Sequence, residues 1–221
     1  SPTHKPVLLR EMLQYLYPKG GDLYVDATLG LGGAASIVAD SIAPNGVLIG
    51  LDKDAESLEI AKESLKSKQV QKEFIHSDYR HLKSVLQKIG YPQVNKIFLD
   101  LGLSSYQLAL HYRGFAFMGT PGPLDMRMDR SQDISAADIV NQWDEEELAN
   151  AIFQYGEERY SRRIARKIVE MRKVNRIETT EQLVQVIELA VKGTGYRVKN
   201  KIHPATRTFQ ALRIVVNQEL D

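Results

Sequence analysis

The sequence contains no cysteine, which excludes a disulfide framework and any cysteine zinc site. Its five histidines, His4, His76, His81, His111 and His203, show neither H-E-x-x-H nor a comparable ligand spacing, so no metal is expected. No apolar run approaches the roughly 20 residues of a membrane span, and the first residues lack the apolar stretch of a signal peptide. We therefore expect no membrane partner and a cytoplasmic location, with an organelle matrix as the alternative. Internal repeats and low-complexity tracts are absent. Formal net charge is only +1, so bulk charge names no polyanionic partner. What remains is a chain of 221 residues, 43% hydrophobic, long enough for one good core and a second, smaller one.

Gly30, Gly32 and Gly33 follow the short apolar segment that ends at Asp26, and a second acid, Asp52, ends the next apolar segment, Val47 to Leu51. Glycines at a first strand-to-helix turn let backbone approach a ligand, and a carboxylate about 20 residues on can accept both hydroxyls of a ribose. Position 35 is Ala35 where G-x-G-x-x-G has its third glycine, which disfavours a pyrophosphate grip. A nucleoside cofactor without phosphates fits better, S-adenosylmethionine among them. The competing interpretation makes Gly32 and Gly33 a tight turn only and Asp52 the cap of the following helix. Asp26 and Thr28 weigh against it, because a carboxylate at a strand's carboxyl end points into the crevice where open α/β sheets bind ligands.

Apolar periodicity predicts an initial helix carrying Leu8, Leu9, Met12, Leu13 and Leu16. It then predicts strands at 23–27, 47–51, 73–76 and 96–101, with helices at 34–42, 55–67 and 81–89. That βαβαβαβ order implies an α/β fold with a parallel sheet over residues 1–105. After Ser105 a Gly- and Pro-rich stretch, 113–129, leads into an all-helical region at 135–192. Asp144 with Glu147 and Thr179 with Gln182 are capping-box starts there. We read 106–200 as an inserted helical domain and 201–221 as a helix, carrying Leu212, Val215 and Val216, that returns to the sheet.

Charge is unevenly spread. From Arg159 to Arg176 eight Arg or Lys residues face one acid, Glu170, and from Lys192 to Arg213 six basic residues occur with no acid. Tyr155, Tyr160, Tyr196 and Phe209 lie among or beside them, a mixture suited to phosphates and exposed bases. Arg159, Arg162, Arg163 and Arg166 fall outside the inward stripe of Ile164, Ile168 and Met171, so a basic face for RNA and a merely solvated face are both open.

Seven segments, in order, carry a resemblance. They are His4-Lys-Pro-Val-Leu-Leu9, Asp26-Ala-Thr-Leu-Gly-Leu-Gly-Gly33, Asp100-Leu-Gly-Leu-Ser-Ser105 with Gln107, Arg113-Gly-Phe115, Gly122-Pro-Leu-Asp-Met-Arg-Met128, Tyr155-Gly-Glu157, and His203-Pro-Ala-Thr-Arg-Thr-Phe-Gln-Ala-Leu-Arg213. The whole chain resembles the bacterial-type small-subunit ribosomal RNA cytosine-N4 methyltransferases. The resemblance implies a class I, Rossmann-like S-adenosylmethionine-dependent fold with an inserted helical domain, acting on small-subunit ribosomal RNA or a 30S-type particle. It places cofactor contacts on Gly32, Gly33, Ala34, Asp52, Tyr79, Asp100 and Gln107. Ala34 stands where the family usually has His, leaving only backbone contact to the methionine end, and Tyr79 stands where Phe is frequent. Members normally continue past Leu220 into further strands, with a Gly-Gly-Arg-Leu strand and a Ser-Phe-His-Ser-Leu-Glu motif that this sequence lacks. We read it as a truncated, partial or divergent short form. Strand 96–101 would then be an exposed apolar edge, and self-association, a homodimer in the simplest case, is expected.

Cytosine's exocyclic amine is conjugated and weakly nucleophilic, so the site must align it with the methyl donor and offer an acceptor for its proton. Asp100 is the first candidate, with Ser104 and Ser105 after it; an Asp100 that only caps the next turn is the alternative. Arg113, Asp125 and Arg127 are candidates for a substrate lip, although Asp125 and Arg127 pairing with each other is equally consistent. Phe115 is either a stacking platform for a displaced base or a core residue. His203 and Arg207 are candidates for phosphate contact or for shaping the site, and His203 before Pro204 serves equally as a helix start. Two rival functions stand beside methyl transfer: a shortened, non-catalytic paralogue that binds RNA in ribosome assembly, and a nicotinamide-dependent oxidoreductase.

Overall fold

A computed structural model describes residues 9–194 and 202–220. His4 to Leu8 of the first motif and Tyr196 lie outside the described residues. The chain divides into two compact units, the first ending at Gly102 and the second beginning at Leu103.

In the first unit, helix α1 (Leu9–Leu16) precedes four parallel strands, β1 (Leu23–Asp26), β2 (Val47–Asp52), β3 (Gln71–His76) and β4 (Lys96–Phe98). Their spatial order is β3-β2-β1-β4. Helices α2 (Gly33–Ile42), α3 (Ala55–Ser64) and α4 (Leu82–Lys88) connect them. β1 and β2 read as unbroken apolar runs because both faces are covered. Tyr24 and Leu48 point into a cluster with Met12, Val38, Ile42, Leu58 and Ala61. Their neighbours Val25, Val47, Ile49 and Leu51 point to the opposite layer, against Leu86, Leu82 and Val85 of α4. The register pairs Asp26 with Gly50 and with Phe98, which brings the carboxyl ends of β1, β2 and β4 level.

β4 is shorter than the expected 96–101. The ladder closes with Ala27 N–H donating to Phe98 O at 2.9 Å, after which the Asp100 N–H turns to Thr28 Oγ1 at 2.7 Å. Among the described residues β4 pairs only with β1, and Ile97, Leu99 and Leu101 are 44%, 43% and 54% exposed. The expected apolar edge is present.

The second unit contains α5 (Ser105–Ala109), α6 (Ala136–Gln142), α7 (Glu145–Gly156), α8 (Ser161–Arg172), α9 (Thr180–Val191) and α10 (Ala205–Asn217). Both expected capping boxes form, and Ser104 with Gln107 and Ser135 with Asp138 add two more. The Gly- and Pro-rich loop is stitched to the start of α9 by the Pro123–Thr179 bridge and by Leu124 N–H to Glu178 O at 2.8 Å.

Helix α10 corrects the expectation of a helix returning to the sheet. Its stripe of Ala205, Phe209, Leu212 and Val216 belongs to the helical core with Ile139, Leu148 and Ile152, and the helix packs on α6, α7 and α9. Gly156 permits the close approach to α7, since a Cβ there would lie 2.4 Å from the Arg207 carbonyl oxygen. The buried Asn217 side chain then accepts from Met128 N–H and donates to Met126 O, both at 2.7 Å.

Candidate functional site

Three acids stand at the carboxyl ends of adjacent strands in the first unit. Asp26 ends β1, is 1% exposed, and accepts the Thr28 N–H at 3.2 Å. Asp52 ends β2; its Oδ2 accepts the Gly30 N–H at 2.6 Å and its Oδ1 the Asp54 N–H at 2.8 Å. Asp100, just past β4, is exposed, and its carboxylate has no hydrogen-bond partner among the described residues. The alternative in which Asp52 caps α3 is corrected: Asp54 is that cap, accepting from Glu56 N–H and Ser57 N–H. Asp52 instead reaches across to the glycine turn.

That turn needs its glycines. Gly30 has φ +53° and Gly32 φ +82°, and a Cβ on Gly32 would press against Leu65 Cδ1 at 3.0 Å. Gly32 is the N-cap of α2 and supplies no side chain, so the first-turn N–H groups from Gly33 and Ala34 are left for a ligand or water.

The electrostatics of this rim follow from burial. Burial above all, opposed by the Thr28 N–H bond and aided by the charges of Asp52 and Asp100, raises the Asp26 carboxyl to about 7. Asp52 is also raised by burial, with the N–H donors of Asp54 and Gly30 pulling it back. Tyr79 lies in a one-turn 3₁₀ segment (Tyr79–His81) after β3, its ring half-buried against the α4 side of the sheet. Lys53 Nζ is 5.9 Å from that ring's centroid and 2.8 Å from Asp78 Oδ2. Burial opposes ionisation of Asp78, but hydrogen bonds from Lys53 and Arg80 outweigh it and hold the carboxyl below its usual range. Sequence reasoning missed Lys53 and Asp78. The available signal was that Lys53 directly follows the acid at the end of β2 and Asp78 stands just before Tyr79.

This rim suits a particular ligand. Three acids repel a pyrophosphate but complement a cation, and Asp52 retains acceptor capacity for hydroxyls beside its two backbone donors. A nucleoside bearing a sulfonium charge and no phosphate fits the donor and acceptor set.

The sequence profile of the MraW methylase family matches residues 1–221. The chain belongs to the MraW methylase family. Curated relatives include the protein called ribosomal RNA small subunit methyltransferase H in Brevibacillus brevis, 44% identical over 218 residues, which cover 99% of this chain and 68% of that protein. The protein of that name in Syntrophotalea carbinolica is 46% identical over 218 residues, with the same coverage of 99% and 68%. Its counterpart in Geotalea uraniireducens is 46% identical over 217 residues, covering 98% of this chain and 69% of that one.

The remaining candidates of this MraW-family chain lie in the second unit, and several hold the fold together. Ser104 and Gln107 form the reciprocal cap of α5, which begins at Ser105. Arg113 is fully buried, with Nη2 donating to Arg127 O at 3.1 Å and Met128 O at 2.9 Å, so the expected lip residue is corrected to a core staple. Phe115, 6% exposed, is core rather than a stacking platform. Asp125 and Arg127 pair with each other, Nε to Oδ1 at 2.7 Å and Nη2 to Oδ2 at 3.1 Å, the second of the two readings. His203 starts α10: its Nδ1 accepts the Ala205 N–H at 3.2 Å, Nε2 lies 3.5 Å from Glu188, and Phe117 packs on the ring. Arg207 donates to Glu157 O at 3.1 Å, closing the end of α7.

The arginine face divides. Arg159 lies over the Tyr160 ring at 4.7 Å, Arg166 meets Glu145 at 3.4 Å, and Arg163 is bound to the carbonyl end of α9. Arg162 is exposed and has no partner among the described residues.

Proposed function

We propose that this protein transfers a methyl group from S-adenosylmethionine to the N4 amine of a cytosine in small-subunit ribosomal RNA. Membership of the MraW methylase family across all 221 residues supports methyl transfer, and the names of its relatives support the RNA. The observation that carries the site is the exposed Asp100 carboxylate, without a hydrogen-bond partner among the described residues, two residues past the Phe98 that pairs with the buried Asp26, just as Asp52 lies two past Gly50.

When bound, the cofactor supplies an electrophilic methyl on a positively charged sulfur. In this reading Asp52 would accept the ribose hydroxyls, Tyr79 would give the adenine an apolar ring, and the N–H groups of Gly33 and Ala34 would meet the methionine end, with Gly32, whose own N–H is donated to Leu29 O at 2.9 Å, shaping the turn beside it. Ala34 adds no side-chain contact. Asp100 would accept a hydrogen bond from the target amine, orient it and take its proton as the N–C bond forms and the sulfur–methyl bond breaks, its electron pair leaving with sulfur as a neutral thioether. Ser104, Ser105 and Gln107 follow in the chain, Ser104 and Gln107 as the reciprocal cap of α5 and Ser105 as its first residue. Alignment is worth several orders of magnitude in rate, and a positioned acceptor about 10² to 10⁴.

The test is transfer of a labelled methyl group to unmodified small ribosomal subunits, followed by nucleoside analysis. Label on N4-methylcytidine is expected. Asp100→Asn should lower kcat at least about a hundredfold while changing cofactor affinity less than tenfold. Label on another atom overturns the assignment, tighter binding of a nicotinamide cofactor overturns the cofactor, and RNA binding without transfer returns the non-catalytic reading.

A further inference from the structure

On the second unit, α8 and the carboxyl end of α9 bound an open groove of about 540 Å³. Arg162, Arg163, Arg166 and Lys167 line it against a single acid, Glu170, and Leu189, 48% exposed, adds an apolar surface. Helical spacing puts Arg162 and Arg166 on one row and Arg163 and Lys167 on the next, each pair rising about 6 Å along the axis.

The end of a helix carries partial negative charge and would repel an anion. Here Arg163 cancels it: Nε donates to Ala190 O, and Nη2 to Lys192 O at 3.4 Å. The other three cations are not committed in this way. Arg162 has no partner among the described residues. Arg166 holds Glu145 only at 3.4 Å, between side chains 74% and 44% exposed, and Lys167 reaches Glu170 one turn along its own helix. Exposed pairs of this kind yield readily to a stronger anion.

Resting on the reading that this protein acts on RNA, we infer that the groove seats consecutive RNA backbone phosphates. Arg162, Arg166 and Lys167 are the contacting arms, Leu189 packs against a ribose or base, and Arg163 is the pillar that makes the helix end tolerable to an anion. RNA is favoured over an acidic peptide because two guanidinium forks in register suit phosphate oxygens. The sequence running on from the α9 end is also basic without interruption, with six Arg or Lys and no acid between Lys192 and Arg213.

The experiment measures fluorescence anisotropy of a labelled single-stranded fragment of small-subunit ribosomal RNA across a salt series, with S-adenosylmethionine calorimetry in parallel. For Arg162→Gln/Arg166→Gln/Lys167→Gln, the slope of log affinity against log salt should flatten by up to about 0.7 for each phosphate no longer neutralised, close to 2 in all, with cofactor affinity unchanged. Arg163→Gln should instead lower the melting temperature and leave the slope in place. A folded triple variant with the wild-type slope overturns the inference while leaving methyl transfer, assayed separately, untouched. Displacement of RNA by polyglutamate at equal charge concentration would assign the groove to an acidic protein segment instead. Failure of the wild-type protein to bind RNA at all would remove both readings.

Discussion

The Gly30 N–H donates to Asp52 Oδ2 at 2.6 Å, tying the turn after β1 to the end of β2. The residue proposed to receive the ribose therefore also sets the turn proposed to receive the methionine end. Its two functions share one carboxylate, and a single substitution disturbs both.

Asp52→Asn retains the shape of the side chain but exchanges an acceptor for a donor. S-adenosylmethionine binding should weaken by about 1.5 to 3 kcal/mol, the range for lost charge-assisted hydrogen bonds. Titration calorimetry reads it, and unchanged affinity in a folded variant would remove Asp52 from the site.

Asp26 is expected to make the crevice costly to maintain. Its folded-state carboxyl is raised to about 7 from an ordinary 3.8, so the native state holds a proton that the unfolded chain has lost between those values. Stability from this group is full below about pH 4, falls as pH rises through 7, and is level above, by at most about 1.4 kcal/mol per pH unit. Asp26→Asn should abolish that slope, and its melting temperature should exceed that of wild type by a margin that widens from pH 5 to pH 8. Its affinity for the sulfonium cofactor should fall at pH 8. A margin that does not change with pH would show that Asp26 is ionised throughout.

Arg113→Leu removes the donor that satisfies the carbonyl oxygens of Arg127 and Met128 inside the second unit. Each acceptor left without a partner costs about 1 to 3 kcal/mol, so thermal or urea unfolding should show a clear loss. Salt-dependent RNA affinity at a temperature where the variant is folded should not move. Lost RNA affinity with undiminished stability would return Arg113 to the substrate surface.

The edge strand predicts association. With Ile97 and Leu99 exposed on a strand that pairs on one side only among the described residues, sedimentation at rising concentration should show self-association, and Ile97→Lys should suppress it. A wild-type chain that stays monomeric at high concentration would mean that this edge is protected.

How far the sequence reveals the molecule depends on the range of the determinant. Asp26 and Asp52 were legible because a strand end is marked by apolar residues beside it, and the caps at Asp144 and Thr179 because partner and cap lie three residues apart. Arg113 was not legible: its acceptors are carbonyls 14 and 15 residues away, and nothing local distinguishes a buried arginine from a substrate contact. The destination of α10 was hidden for a related reason, since Phe209, Leu212 and Val216 form the same stripe whether a sheet or a helix receives it. Arg162 and Arg163 are neighbours with identical chemistry, and only the position of Ala190 O tells them apart.

β4 closes the sheet against β1 across a long span of chain, with Leu23 N–H donating to Asn95 Oδ1 over a separation of 72 residues, beside the return bond from Asn95 N–H to Leu23 O. A polypeptide made from its N-terminus therefore exposes β1, β2 and β3 well before the strand that leads to Asp100, at about 5 to 20 residues per second. Until that last strand docks, Asp26 lacks the cover that β4 gives on one flank and has no neighbouring Asp100, two of the causes that raise its carboxyl in the folded chain. A nascent fragment ending before Phe98 therefore holds the glycine turn and Asp52 but not Asp100, so the proposed site is complete only once β4 has been made and has paired with β1.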